Sequence, residues 1–153
     1  MIRSPMATTR EASREDAPGI LALAKAYAQE LGPISHHRAW LIHQIDMGEV
    51  FVAVTDEGKL VGFVSFHHNR LADDDHTTVY YLCADRDYRG QGIGKLLMDA
   101  VATDARLCGT SLIRLRCPNH LPANRFYKSI GYTLKGSETD QEGGPLNVWT
   151  LRL

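Results

Sequence analysis

The segment DRDYRGQGIGK, residues 85–95, combines residue types and spacing that suit the binding of a phosphate group. Arg89 precedes three glycines at alternate positions, Gly90, Gly92 and Gly94, and an amphipathic stretch follows them. Glycines at such a place can serve a strand-to-helix turn alone, because they adopt positive φ angles without strain. They also let an anion approach the backbone N–H groups of a helix N-terminus, where the helix dipole adds partial positive charge. Three glycines behind an arginine favour the anion site.

Two common phosphate-binding motifs do not fit this segment. In the dinucleotide motif G-x-G-x-x-G the third glycine would fall on Lys95, and the next predicted strand ends at Cys117 and Pro118 rather than at an acidic residue. The P-loop motif needs Ser or Thr after its Gly-Lys pair, but Leu96 follows here. Neither a Rossmann nucleotide site nor a P-loop is therefore predicted.

The cysteines and the histidine-rich segment predict neither a disulfide framework nor a metal site. Cys83, Cys108 and Cys117 are an odd number and form no C-x-x-C pair. Residues 67–76 contain three histidines and three aspartates, but their spacing matches no recognisable ligand set. We expect free thiols, no metal and a solvated acidic loop.

The elements that position these residues are those of a mixed α/β domain. Ser13 and Asp16 form a capping-box pattern before an apolar helical face that runs to Tyr27. From Ile93 onward the apolar residues follow the helical i, i+3, i+4 rhythm. The remaining patterns predict strands at 7–11, 49–54, 60–68, 76–84, 111–117, 132–136 and 146–153, helices at 35–47 and 122–130, and a polar loop at 69–75.

The order of these elements predicts a mostly antiparallel sheet of about six to seven strands, flanked by about four helices. One strand–loop–helix–strand crossover stands at its centre. A length of 153 residues suits a single domain over residues 1–153, with residues 1–5 expected to be a disordered leader. We expect no second domain.

Composition argues against two classes of partner. The chain has 17 Lys and Arg residues against 18 Asp and Glu, a net charge of −1, and therefore no basic excess for nucleic acid or an anionic membrane. It shows no apolar run of the length that a signal peptide or a membrane span requires. A cytoplasmic protein is the expectation.

The opening segment also meets a less common phosphate pattern: Gln or Arg, two residues, Gly, one residue, and Gly or Ala. Arg89, Gly92 and Gly94 fill it, and it resembles the pyrophosphate-binding motif of the GCN5-related N-acetyltransferase (GNAT) family. The resemblance extends along the chain, since TREASREDAPGILAL, LVGFVSF and ANRFYKSIGY are similar to other segments of that family and occur in its order. One departure is Arg86, where the family usually has proline.

The resemblance implies the GNAT fold and acetyl-CoA as cosubstrate, without a metal. It assigns the diphosphate of coenzyme A to the backbone from Gly90 to Lys95, with Arg89 or Gln91 contributing side-chain contacts. It assigns the pantetheine arm to the preceding strand and to an asparagine whose place holds His120 in this chain. The contact comes from Asn119 if the pattern slips by one residue, comes from Asn124, or is absent. The cofactor-binding residues implied are Leu82, Cys83, Ala84, Arg89, Gly90, Gln91, Gly92, Ile93, Gly94, Lys95, Asn119 and Asn124.

Tyr127 corresponds to the family tyrosine near the coenzyme A sulfur, where a phenol can donate a hydrogen bond or a proton to the departing thiolate. Its alternative role is core packing beside Phe126. Cys83 as a nucleophile is disfavoured, because the family transfers acetyl directly and no histidine partner is evident.

The general base is not identified by the resemblance. Some relatives have a glutamate nine positions before the motif arginine, and Tyr80 stands there in this chain. His67, His68, His76, Tyr80 itself or a chain of water molecules remain alternatives.

The function implied is an acetyl-CoA-dependent N-acetyltransferase that transfers acetyl directly to a primary amine of a small molecule. The alternatives are a protein N-terminal or lysine acetyltransferase, and a non-catalytic coenzyme A-binding sensor module. The family's acceptor specificity lies in the first two helices with their connection, here 28–40, and in the C-terminal hairpin. A homodimer is also left open.

Overall fold

The computed structural model describes residues 7–27, 31, 37–88 and 90–153 of the chain. In this part of the chain seven strands form one sheet, and four α-helices have defined bounds. The strands are β1 (Ala7–Glu11), β2 (Val50–Thr55), β3 (Leu60–Leu71), β4 (Asp74–Ala84), β5 (Leu112–Pro118), β6 (Thr133–Thr139) and β7 (Pro145–Arg152). The helices are α1 (Ala17–Ala26), α2 (Arg38–Asp46), α3 (Ile93–Cys108) and α4 (Ala123–Ser129).

The sheet is mixed and mostly antiparallel, in the strand order β1-β2-β3-β4-β5-β7-β6. β4 pairs with β5 in parallel, with Thr77–Val79 opposite Ile113–Leu115. β1 with β2, β2 with β3, β5 with β7 and β6 with β7 are antiparallel. A parallel pair needs a crossover connection, and α3 supplies it. The predicted fold class and its crossover are confirmed.

The described residues fall into two compact units. The first unit comprises the residues up to 66 together with 81–101, and the second comprises 67–80 together with 102–153. In the first unit α1 and α2 pack against strands β2 and β3. The buried side chains of this core include Ile20, Leu41, Ile45, Val50, Val52 and Phe63.

The second unit has a core of its own on strands β5 and β7. Ile113, Leu115 and Trp149 are buried there. All residues of β6 are exposed, and β6 has β7 as its partner.

The entry into α1 follows the predicted capping box. The Ser13 backbone N–H donates to Asp16 Oδ2 at 2.8 Å, and a turn of 3₁₀ helix at Arg14–Asp16 precedes Ala17. Arg10 donates to both oxygens of the same carboxylate, at 2.7 and 2.9 Å. The predicted second helix is observed from Arg38 to Asp46, and residues 35 and 36 lie outside the described residues.

The predicted polar loop at 69–75 is wrong. Residues 69–71 continue β3, residues 74 and 75 begin β4, and only Ala72 and Asp73 form the turn. Asn69 donates to Thr78 Oγ1 at 3.1 Å, so tertiary hydrogen bonds hold as strand a stretch with low β-propensity.

Within the described residues no helix combines the length and the apolar composition that crossing a membrane requires.

Candidate functional site

The glycine segment forms the turn between β4 and α3. Gly90 and Gly92 have φ angles of 79° and 75°, values that L-residues with a side chain rarely adopt. The carbonyl of Gly92 accepts the first hydrogen bond of α3, from Leu96 N–H at 2.9 Å, so the helix begins directly after the second glycine. Gly94 lies within α3, and Arg89 lies outside the described residues.

The space beside this turn is open. A Cβ atom built on Gly90 or Gly92 would meet no heavy atom within 4 Å. The first N–H groups of an α-helix have no partner within the helix, and α3 is 16 residues long. Open space in front of such donors, with the helix dipole behind them, is suited to an anion such as the diphosphate of coenzyme A.

The preceding 3₁₀ turn, Arg86–Tyr88, is held by contacts that the sequence did not indicate. The backbone N–H of Arg86 donates to the Tyr27 hydroxyl at 2.6 Å, and the Arg86 guanidinium lies 5.1 Å from the centre of the Tyr27 ring. Asp85 N–H donates to Val61 O at 2.8 Å. Tyr27, which we expected only in the core, therefore helps to fix the approach to the glycine turn.

The residues that follow the glycines contribute in different ways. Ile93 is buried, and a Cβ on Gly62 would lie 2.9 Å from its side chain, so β3 approaches α3 closely there. Only the backbone of Ile93 is therefore available to a ligand. Gln91 is exposed, and Lys95 is exposed with an ion pair to Asp99 at 2.7 Å.

The end of β4 also belongs to the first unit. Leu82 and Ala84 are partly buried, and Cys83 is 5% exposed and packs in the apolar core. Any contact of Cys83 with a cofactor must therefore use its backbone. The buried position of its sulfur gives no support to the nucleophile alternative.

Tyr127 lies on α4, in the second unit, and is the buried member of the pair of adjacent rings. It is 7% exposed, whereas Phe126 is partly exposed. Burial raises the pKa of the Tyr127 phenol above its usual value, and neighbouring Cys117 and Tyr132 raise it further. Burial also raises the pKa of the Cys117 thiol to about 11. Tyr127 therefore stays protonated at physiological pH and can donate a hydrogen bond.

The two candidate asparagines have different surroundings. The Asn124 amide donates to the carbonyls of Pro118 and Leu121 at 2.9 and 2.8 Å. Its oxygen accepts from Asn147 Nδ2 at 3.0 Å and from Trp149 Nε1 at 2.9 Å.

These four bonds fill the hydrogen-bonding capacity of the Asn124 side chain. Asn124 therefore ties the segment after β5 to β7, and a contact with the pantetheine arm would cost it one of these bonds. Asn119 is exposed, and its backbone N–H donates to Pro145 O at 3.1 Å.

Two of the candidate bases have both ring nitrogens engaged. His68 Nε2 donates to Asp104 at 2.8 Å, and its Nδ1 lies 2.7 Å from Thr77 Oγ1. These contacts join β3, β4 and α3.

His76 is held in a similar way at the start of β4. Its Nδ1 lies 3.1 Å from the backbone oxygen of Asp74, and its Nε2 lies 3.3 Å from Asn69 Nδ2. Of the other candidates, His67 is partly buried and Tyr80 is 45% exposed. The geometry of His68 and His76 is that of residues that hold strands together.

In the described ranges no three His, Cys, Asp or Glu side chains lie close enough together to hold a metal ion. Cys83, Cys108 and Cys117 are free thiols.

The structure therefore groups the predicted residues in two sets. The glycine turn and the end of β4 belong to the first unit, together with Tyr27. Tyr127, Asn119 and Asn124 belong to the second.

Comparisons with known proteins identify the family and the fold. The protein-family model described as the acetyltransferase (GNAT) family matches residues 17–132. The peptidyl-lysine N-acetyltransferase YjaB of Salmonella typhimurium is 35% identical over 103 residues, which are 67% of this chain. The chain spans 63% of the length of that curated relative.

Two solved structures show the same fold. Ard1 from Thermoplasma volcanium superimposes with a TM-score of 0.81 at 20% identity, over 97% of this chain and 98% of that one. YncA from Salmonella typhimurium, described as an acetyltransferase with its cofactor acetyl-CoA, gives 0.76 at 20% identity, over 97% and 94%.

Proposed function

The chain belongs to the acetyltransferase (GNAT) family, and we propose that it transfers the acetyl group of acetyl-CoA directly to a primary amine. The observation that carries this proposal is the turn at Gly90 and Gly92, with open space where side chains would stand and the N-terminus of α3 behind it. A helix N-terminus with open space in front of it offers backbone N–H donors and partial positive charge to a diphosphate.

The backbone from Gly90 to Lys95 would hold the diphosphate, with Arg89 or Gln91 beside it. The backbone of Leu82–Ala84 and the side chain of Asn119 would contact the pantetheine arm. Acetyl-CoA supplies a thioester, whose carbonyl carbon an amine can attack. These residues act by binding and orientation, and none of them forms a covalent bond with the acetyl group.

In the reaction an N–C bond forms, the C–S bond breaks, and the amine loses a proton. We assign Tyr127 to the sulfur as a hydrogen-bond donor. Burial raises the pKa of this phenol, whereas a thiol has a pKa of about 8.5, so full proton transfer from the phenol to the thiolate is uphill. Tyr127 therefore stabilises the departing thiolate, and solvent supplies its proton.

For the proton of the amine we propose a route through water. His68 and His76 are engaged in holding strands, and Tyr80 stands where some relatives have a glutamate. A primary amine needs to lose its proton before it attacks, and water can accept it at alkaline pH without a side-chain base.

The acceptor is proposed as a primary amine on an aliphatic chain. The sequence favoured a small molecule, whereas YjaB is named for action on peptidyl-lysine. Both acceptors present the same group to the enzyme. Rates with a free alkylamine and with a lysine-containing peptide distinguish the two sources of the amine.

A second candidate function is a non-catalytic module that binds coenzyme A as a sensor. The observation that favours it is Tyr80 in the place of a carboxylate. Release of free coenzyme A that depends on added amine separates the two functions, because a sensor module would bind the ligand without releasing thiol.

Thermal melts test the binding step. A ligand bound only by the folded state adds about 2.7 kcal/mol at a hundredfold excess over Kd. We expect acetyl-CoA to raise the Tm and NAD to leave it unchanged. A rise with NAD and none with acetyl-CoA would exclude the proposed function.

A further inference from the structure

The segment that leads into the glycine turn is attached to the β2–β3 hairpin. Asp85 N–H donates to Val61 O at 2.8 Å. The Lys59 ammonium lies 5.1 Å from the centre of the Tyr88 ring. Both contacts hold the 3₁₀ turn Arg86–Tyr88 against the hairpin, and all of these residues belong to the first unit.

A further attachment of this turn comes from α1. Tyr27 follows the last residue of α1, is 8% exposed and packs in the apolar core of the first unit. Because a ring in a close-packed core has little freedom, the packing fixes the position of its hydroxyl. That hydroxyl accepts the backbone N–H of Arg86 at 2.6 Å, and the Arg86 guanidinium lies 5.1 Å from the ring centre. Tyr27 is therefore a fixed point for the backbone at residue 86.

The residue type at position 86 gives this hydrogen bond its importance. The GNAT family usually has proline there, and this chain has arginine. Proline restricts its own φ angle to about −65°, which suits the first residue of a helical turn, but it has no N–H group to donate. Arginine has the N–H group and a freer φ angle. In this chain the bond to Tyr27 restrains a residue that a proline ring would restrain from within.

A restraint at residue 86 bears on ligand binding because glycines follow it. Glycine loses more conformational freedom on ordering than any other residue. A diphosphate that is held by backbone N–H groups needs those groups in fixed directions, and ordering them at the moment of binding costs affinity. With the chain held at Arg86 on one side, and at Gly92 by the first hydrogen bond of α3 on the other, a shorter segment remains to be ordered.

We propose that Tyr27 is a positioning residue for coenzyme A, and that its hydrogen bond to the Arg86 N–H holds the glycine turn in the geometry that binds the diphosphate. This inference rests on the proposed function and adds a residue of α1 to its cofactor site. Tyr27 raises the fraction of the protein whose turn is ready to bind, and the observed Kd is inversely proportional to that fraction. It takes no part in the chemical step.

The test is Tyr27→Phe, which removes the hydroxyl and keeps the ring in the core and beside the guanidinium. We expect the Kd for acetyl-CoA, measured by isothermal titration calorimetry, to rise about three- to tenfold, since one hydrogen bond between neutral groups shifts an equilibrium by about that factor. The KM for acetyl-CoA should rise with it. The kcat at saturating acetyl-CoA and the KM for cadaverine should stay within about twofold of the parental values.

Two control variants separate positioning from other effects. Arg86→Lys keeps the backbone N–H and the positive charge and loses the planar guanidinium, and it should keep the parental Kd. Ile45→Val removes one methyl group from the same core as Tyr27. It should lower the Tm by about 2–5 °C, a loss similar to that of Tyr27→Phe, and keep the parental Kd.

A parental Kd in Tyr27→Phe would overturn the inference. Equal rises of Kd in Tyr27→Phe and Ile45→Val would also overturn it, since loss of stability would then explain the effect, and so would a fall in kcat with an unchanged KM for acetyl-CoA. If the parent does not bind acetyl-CoA, the proposed function fails together with this inference. If the parent binds it and acetylates cadaverine while Tyr27→Phe keeps the parental Kd, only this inference fails.

Discussion

Replacing Gly92 with alanine tests two separate effects: the strain of a positive φ angle, which lowers stability, and the loss of open space, which weakens ligand binding. At φ 75° an L-residue with a Cβ is strained by about 1–2 kcal/mol. The new methyl group itself meets no protein atom within 4 Å, so no steric cost is added in the free protein. For a chain of 153 residues this strain lowers the Tm by about 2–8 °C.

The same methyl group would occupy the space proposed for the diphosphate. We therefore expect Gly92→Ala to weaken acetyl-CoA binding at least tenfold, which is about 1.4 kcal/mol. Gly143→Ala is the matched control, because Gly143 has a φ of 85° and equally open surroundings in the β6–β7 turn. It should lose the same stability and keep the parental affinity.

The assay is isothermal titration calorimetry with acetyl-CoA, beside a thermal melt of each protein. If Gly92→Ala folds and binds acetyl-CoA with the parental Kd, the diphosphate does not rest on this turn. Equal losses of affinity in Gly92→Ala and Gly143→Ala would show that strain, rather than the methyl group, weakens binding, and would contradict the reasoning in the same way.

Three further predictions follow from the second unit and the proposed chemistry. Tyr127→Phe should lower kcat about 10- to 100-fold, which is the contribution of a hydrogen bond to a charged group. Burial raises the pKa of this phenol and keeps it protonated, so the ratio of parent to variant rates should be constant up to about pH 10. A ratio that falls steadily from pH 7 would refute the assignment. Asn124→Ala leaves the Asn147 and Trp149 donors unpaired and should lower the free energy of unfolding by about 2–4 kcal/mol, which is a Tm loss of about 5–15 °C. Asn119→Ala should keep the parental Tm and raise the KM for acetyl-CoA. The reverse pattern in melts and kinetics would assign the pantetheine contact to Asn124. Without a side-chain base, kcat/KM for the amine should rise with pH until the amine itself is neutral, near pH 10 for a lysine side chain, and a plateau above about pH 7 would point to a histidine base.

The sequence predicted the parts of the molecule that depend on local pattern. The glycine turn and α3 follow from residues close together in the chain, since a helix start and an apolar stripe are local signals. The capping box at Ser13 could be predicted for the same reason. The order of the predicted elements also indicated the crossover that makes β4 and β5 parallel.

The parts that depend on distant residues could not be read in this way. Arg86 and Tyr27 are 59 positions apart, and nothing local joins them. The 69–75 segment was assigned to a loop because its residues are polar, but Asn69 is held as strand by Thr78 across the hairpin.

Asn124 shows the same limit at the candidate site. Its place on the same helix as Tyr127 suggested a cofactor contact, whereas the two donors to its side-chain oxygen come from β7, more than twenty residues later.

The central claim is direct transfer of acetyl from acetyl-CoA to a primary amine, and mass spectrometry with isotope-labelled acetyl-CoA and cadaverine measures it. We predict that labelled N-acetylcadaverine and free coenzyme A appear in equal amounts, that both require the protein and the amine, and that the protein itself carries no label. Free coenzyme A without labelled amide, or label on a cysteine of the protein, would contradict direct transfer.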